Sequence, residues 1–137
     1  MRPSVELICV PPELAEQVLP FVIRMIEASY VEADGLVPDD MLDRLKAGSL
    51  NLWVAMEAGQ TPFAAITTSF YETRSGKALR IHACGGDRLF VWKHLMGDLE
   101  QYARAEGCVK ITAEARQGWL RVLTGFEQTR IVIEKRL

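Results

Sequence analysis

The sequence predicts an α+β (mixed α/β) domain, a central mixed, mostly antiparallel sheet with helices on both faces. Three observations carry this. Residues 50–86 hold three runs rich in β-branched and aromatic side chains, parted by turn signals, the pattern of an antiparallel meander. An apolar stripe of helical period then runs from Trp92 to Ala103 and stops at Gly107, where another strand-like run begins. Two strands joined by a crossing helix pair in parallel, so the sheet is mixed. The order is β-α-α-β-β-β-α-β-α-β in a single domain, residues 1–137, long enough to bury a core without disulfides or metals.

The elements follow in turn. "SVELICV" (4–10) alternates apolar and polar residues, then becomes wholly apolar, and reads as the first strand. Pro11 and Pro12 stop it, and Pro12 suits the first turn of a helix. From Glu13 to Ala28, Leu14, Val18, Val22 and Met25 share one helical face. Pro20 within that face predicts a kink or two abutting helices. "YVEADGLVPDD" (30–40) is an acidic loop turning at Gly35. Asp39 or Asp40 then caps a short helix with Met41, Leu42 and Leu45 inward and Gly48 at its end.

"LNLWVAMEAG" (50–59) and "PFAAITTSFYETR" (62–74) are strands joined at a Gly59-Gln60 hairpin, and "ALRIHACGG" (78–86) pairs back after a Ser75-Gly76-Lys77 turn. Asp87 is expected to cap a long helix reaching Glu106, with Trp92, Leu95, Met96, Leu99 and Ala103 buried. "CVKITAEA" (108–115) is the parallel strand, "GWLRVLTG" (118–125) a short helix and "FEQTRIVIEKRL" (126–137) the closing strand.

Composition narrows the function classes. Apolar residues at 49% and charged residues at 25% are those of an ordinary soluble globule. A net charge of −2 creates no field to draw nucleic acid or an anionic membrane, and neither is expected as a partner. No apolar run approaches the roughly twenty residues of a bilayer span. The N-terminus lacks the continuous apolar core of a secretory signal. Cys9, Cys84 and Cys108 are odd in number and lie in apolar, strand-like runs, so buried, reduced thiols of a cytoplasmic protein are expected.

This order of elements resembles the GNAT superfamily of acetyl-CoA-dependent N-acetyltransferases over nearly the whole chain. The most specific local feature is "GWLRVLTGFEQTRIVIEKRL", a short helix, then Gly125-Phe126, then a closing strand. "LWVAMEAGQTPFAAITTSF" is similar to the family's central hairpin. Small GNAT-like proteins of tailed bacteriophages and prophages show a further likeness, carried here by Leu52-Trp53, Trp92, Gly107-Cys108 and Arg116-Gln117-Gly118-Trp119.

The resemblance implies a pantetheine held along the strand at Ala83, Cys84 and Gly85, and a pyrophosphate at the N–H groups near Asp87, Arg88 and Leu89. Active members open the long helix with Gln/Arg-x-x-Gly-x-Gly/Ala, whose small residues let backbone N–H groups approach phosphate. Here Gly85 and Gly86 come early, Leu89, Phe90 and Val91 are bulky, and Asp87 is expected to cap the helix and compete with a phosphate. Arg88 argues the other way, as a phosphate partner. Active members also carry a Tyr four residues before the Gly of Gly-Phe; Arg121 stands there and cannot act as an acid near neutral pH.

Three side chains are candidate bases, His82, Glu114 and Glu72, each weighed against a merely solvated or hydrogen-bonded strand residue. His82-Ala83-Cys84, with His94 the only other histidine, is too thin a pattern for a metal or a covalent nucleophile. Trp119, beside Gly118, is either a protein-contact aromatic or a core staple. The favoured reading is a GNAT-fold protein with a degenerate phosphate loop and weakened or lost chemistry, phage- or prophage-encoded. It acts as a structural-accessory or interaction module, cytoplasmic or virion-associated, that requires no cofactor. Its partner is a virion or host protein, or a second copy. The alternatives are an active N-acetyltransferase using acetyl-CoA and a regulator of a host protein.

Overall fold

In a computed structural model of the chain, residues 5–29, 40–88, 91–113, 120, 125–130, 133 and 135–137 are described. Strand β1 (Val5–Val10) leads into a 3₁₀ turn at Pro12–Leu14 and helix α1 (Ala15–Ser29). Helix α2 (Met41–Ala47) is followed by β2 (Asn51–Glu57), β3 (Ala64–Thr73) and β4 (Gly76–Gly86). Helix α3 (Trp92–Ala105) crosses to β5 (Lys110–Ala113). The five strands lie in the order β1-β2-β3-β4-β5, antiparallel except for the parallel β4–β5 pair.

The sheet separates two apolar cores, as the expected helices on both faces require. On one face α3 lays Trp92, Leu95, Met96, Leu99 and Ala103 against Trp53, Ile66, Leu79 and Ile81. Those five helix residues are the stripe read from the sequence, and each large one contributes about 1.5–3 kcal/mol by leaving water. On the other face Val22 and Ile26 of α1 and Met41 and Leu45 of α2 cover Leu52, Val54, Ala65 and Ala83. Trp53 keeps its indole polar group satisfied within the core by donating to Thr68 Oγ1 at 3.0 Å.

Several expectations need correction. Pro20 lies inside one helix, Ala15–Ser29, and not between two abutting helices, with a 3₁₀ turn before Ala15. Leu14 therefore sits in that turn, 42% exposed, and Ile26 takes the inward place. Asp40 stands at the N-cap of α2 but its side chain makes no capping bond, whereas Gly48 ends the helix in the left-handed region as expected. Helix α3 starts at Trp92 with Val91 as N-cap, four residues later than Asp87 would have it. Cys9 is exposed on the edge strand β1, not buried, while Cys84 and Cys108 are partly buried; all three thiols are free. In the segment expected to be the closing strand, residues 126–130, 133 and 135–137 are in no strand. The acidic loop at 30–39 and most of the 118–125 helix lie outside the described residues.

Candidate functional site

The site is built on β4. Its pairing with β3 passes from Thr67–Ala83 to Thr68–Ile81, stepping over His82. One extra residue on one strand is a β-bulge, which bends the strand and re-aims the side chain at that point. The parallel register with β5 reaches the same point, ending at Ile81–Ala113. His82 thus follows Ile81, the β4 residue of the last described β4–β5 pair.

The bulge sets His82 on the α1 face. Along β3, Ala65 belongs to the α1–α2 core, so the alternation puts Thr67, Ser69 and Tyr71 on that face too. Ser69 Oγ lies 2.6 Å from His82 Nε2. Thr67 is fully buried, and its hydroxyl has no hydrogen-bond partner among the described residues. Farther along, Tyr71 Oη is 2.8 Å from Thr112 Oγ1 and its ring lies 4.3 Å beneath the Arg80 guanidinium. The Thr112 hydrogen bond, aided by Arg80 and Lys110, holds the Tyr71 phenol below its ordinary pKa. A polar strip thus crosses from β3 to β5 on a face that α1 and α2 otherwise cover with apolar side chains.

The Gly-Gly turn beyond the bulge has a different cause. A Cβ on Gly85 would lie 2.1 Å from the Met25 carbonyl oxygen of α1, and one on Gly86 would lie 2.3 Å from the Phe63 carbonyl oxygen. Both glycines are there for backbone contact, and Gly86 also needs its φ of +132°. The Asp87 amide donates to the Phe63 carbonyl at 2.9 Å. Arg88, left-handed at φ 59°, pairs with Glu57 and lies over the Phe63 ring at 4.6 Å. The first turn of α3 carries no acidic residue and no side-chain cap, so the carboxylate competition expected from Asp87 is absent there.

The candidates named from sequence divide accordingly. His82 and Ala83 flank the bulge, and Cys84 follows with its side chain against the α3 core. Burial pushes the Cys84 thiol up to about 12, so it is no nucleophile near neutral pH. Gly85, Gly86, Asp87 and Arg88 form the corner. Glu114, Leu89, Phe90, Trp119 and Arg121 lie outside the described residues. Glu72 is exposed near the far end of β3, away from His82. Among the described residues no His, Cys, Asp and Glu cluster could hold a metal ion, and no helix is long and apolar enough to cross a membrane. Ser69, Thr67, Tyr71, Arg80 and Thr112 were missed; the one signal was the polar residues at alternate positions 67, 69 and 71 of β3, and Arg80 and Thr112 carried none.

The architecture recurs in solved acetyltransferases. An aminoglycoside acetyltransferase, meta-AAC0020, from an uncultured soil metagenomic sample superposes with a TM-score of 0.73 at 14% identity, over 97% of this chain and 95% of that one. The chain has the GNAT fold. A predicted acetyltransferase from Clostridium acetobutylicum, solved with acetyl-CoA, matches at a TM-score of 0.64 and 16% identity, over 97% and 96% of the two chains. A GNAT family acetyltransferase from Staphylococcus aureus matches at 0.66 and 16%, over 98% and 99%. No protein-family model and no curated protein sequence matches the chain. At these identities the likeness is one of fold, and chemistry has to be argued from the site.

Proposed function

We propose that the protein is an acetyl-CoA-dependent N-acetyltransferase acting on an amine. The observation that carries this reading is the bulge, which sets His82 against Ser69 on the α1 face of β4. Acetyl-CoA supplies an activated acyl group as a thioester. The backbone of Ala83, Cys84 and Gly85 would hold the pantetheine arm as a neighbouring strand holds its partner, and the uncapped first turn of α3 would meet the pyrophosphate. His82 acts as the base, directly or through the Ser69 hydroxyl, taking the proton of the attacking amine as the C–N bond forms and the C–S bond breaks. That proton balances the departing thiolate.

A second reading keeps the scaffold without the chemistry. It is an interaction or structural-accessory module, phage- or prophage-encoded, that binds a virion or host protein. The corner favours it: Gly85 and Gly86 are accounted for by packing, and Arg88 is engaged with Glu57 instead of standing ready for a phosphate.

Calorimetric titration of acetyl-CoA into the protein separates the two. The transferase reading expects binding in the micromolar range and acetylation of a primary amine. His82→Gln should leave that binding intact and lower kcat by about a hundredfold or more, the usual share of a positioned base. Failure of acetyl-CoA to bind would sink the reading and move the search to protein partners.

A further inference from the structure

A cleft of about 770 Å³ runs around the β5 edge. Among the described residues that line it, four are cations, Arg80, Arg104, Lys110 and Arg130, against two carboxylates, Glu100 and Glu127. The chain as a whole carries −2, so this positive concavity runs against the net charge. Of the described cations outside the cleft, Lys46, Lys77 and Arg88 meet a carboxylate within 4 Å and the other six do not. Among the described residues, none of the four cleft cations does. Arg80 and Lys110 share one face of the paired strands β4 and β5 without carboxylate partners among the described residues, and an anion placed beside them would be attracted to both.

One part of the cleft is also ordered for recognition. The Arg80 guanidinium is stacked on Tyr71, whose hydroxyl is tied to Thr112 on β5, with Lys110 two residues earlier on the same side of that strand. A stacked guanidinium loses less freedom when it grips an oxyanion than a free one does. Arg80 stands opposite Ser69 in the β3–β4 register, and Ser69 is the partner of His82. One residue, Ile81, separates Arg80 from His82, a rise of about 7 Å along the strand.

We propose that this cleft is the acceptor subsite and that it selects amines bearing an anionic group. Arg80 and Lys110 hold the carboxylate or phosphate, and the amine nitrogen reaches the bulge at His82. The inference rests on the transferase reading and names its substrate class. It also departs from the aminoglycosides, polycations that a cluster of arginine and lysine repels.

The test uses L-glutamate, O-phosphoethanolamine and spermidine as acceptors with acetyl-CoA. The anionic amines should be acetylated with kcat/KM at least about tenfold above spermidine, the scale of one charge-assisted contact. A preference between glutamate and phosphoethanolamine identifies the anion as carboxylate or phosphate. Arg80→Gln should raise KM for the anionic amine about tenfold and leave that for benzylamine within about twofold. Lys110→Gln, at an exposed position where folding is not at stake, should do the same. Equal use of the three acceptors, or an unchanged KM in both variants, overturns the proposal while leaving acetyl-CoA binding, and the transferase reading, in place. If acetyl-CoA does not bind, calorimetric titration of glutamate and phosphoethanolamine alone decides the cleft. Binding lost in both variants supports an anion site there, and no binding overturns it.

Discussion

Within the last turns of β4, the bulge at His82 and the corner at Gly85–Arg88 are held in opposite ways. At the corner every unusual feature answers to a neighbour: Gly85 to the Met25 carbonyl, Gly86 to Phe63, the Asp87 amide to the Phe63 carbonyl, and Arg88 to Glu57. At the bulge the accounting stays open. Thr67 is sealed from water with its hydroxyl unmatched among the described residues, and a histidine and a serine meet at 2.6 Å on a face otherwise given to apolar packing. A segment explained by its contacts is scaffold. A segment that carries polar groups the fold does not need is where function is sought.

The comparison breaks most directly at Gly85. Gly85→Ala sets a methyl 2.1 Å from a backbone oxygen, which only a shift of α1 can relieve. We expect a loss of about 3 kcal/mol or more, read by chemical denaturation. A loss below about 1 kcal/mol would mean that α1 and β4 are not in close contact and that the glycine serves a ligand after all.

A smaller effect tests Cys84, between bulge and corner. Its thiol rises from 9.0 to about 12 through burial. A folded value above the unfolded one leaves stability intact below about pH 9 and removes it as the pH climbs towards 12. Stability should therefore fall through that window, and Cys84→Ala should flatten the slope whatever it costs at pH 7. An unchanged slope would place the thiol in contact with water.

Arg88 sharpens the contrast by about 1 kcal/mol. Its left-handed φ of 59° costs an arginine what a glycine avoids, and its partner Glu57 is only 18% exposed. Arg88→Gly and Arg88→Ala both strand Glu57, but glycine recovers the backbone term. The glycine variant should be the more stable of the two by about 1 kcal/mol in urea denaturation. Equal stabilities would mean that the ion pair, not the corner, imposes that φ.

What the sequence made legible follows from what each feature depends on. The α3 stripe and the three meander strands depend on period and propensity, which are local, and they stand as read. The cap at Asp87 failed because the Asp87 amide bonds back to the Phe63 carbonyl and Arg88 pairs with Glu57 before the helix starts, contacts set by residues 24 and 31 positions away. His82 could be named but not understood. The bulge that aims it arises from a register between two strands, and Ser69, thirteen residues earlier, carries no motif. The strip from Tyr71 to Thr112 is likewise a product of parallel pairing between segments that no local pattern joins.

Thr67→Val gives the smallest expected change and bears most closely on the bulge. Valine keeps the shape and removes a hydroxyl that is buried without a partner among the described residues. On folding alone the variant should gain about 1 kcal/mol, the desolvation cost of one unmatched polar group. Gaining stability while losing acetyl transfer would show that the hydroxyl is kept for the reaction and not for the fold, as active sites commonly trade one for the other. Gaining stability with transfer unchanged would confine the chemistry to His82 and Ser69. Losing stability would mean that the hydroxyl is matched by a buried water at the bulge, and the contrast between a satisfied corner and an unsatisfied bulge would then rest on the Ser69–His82 pair alone.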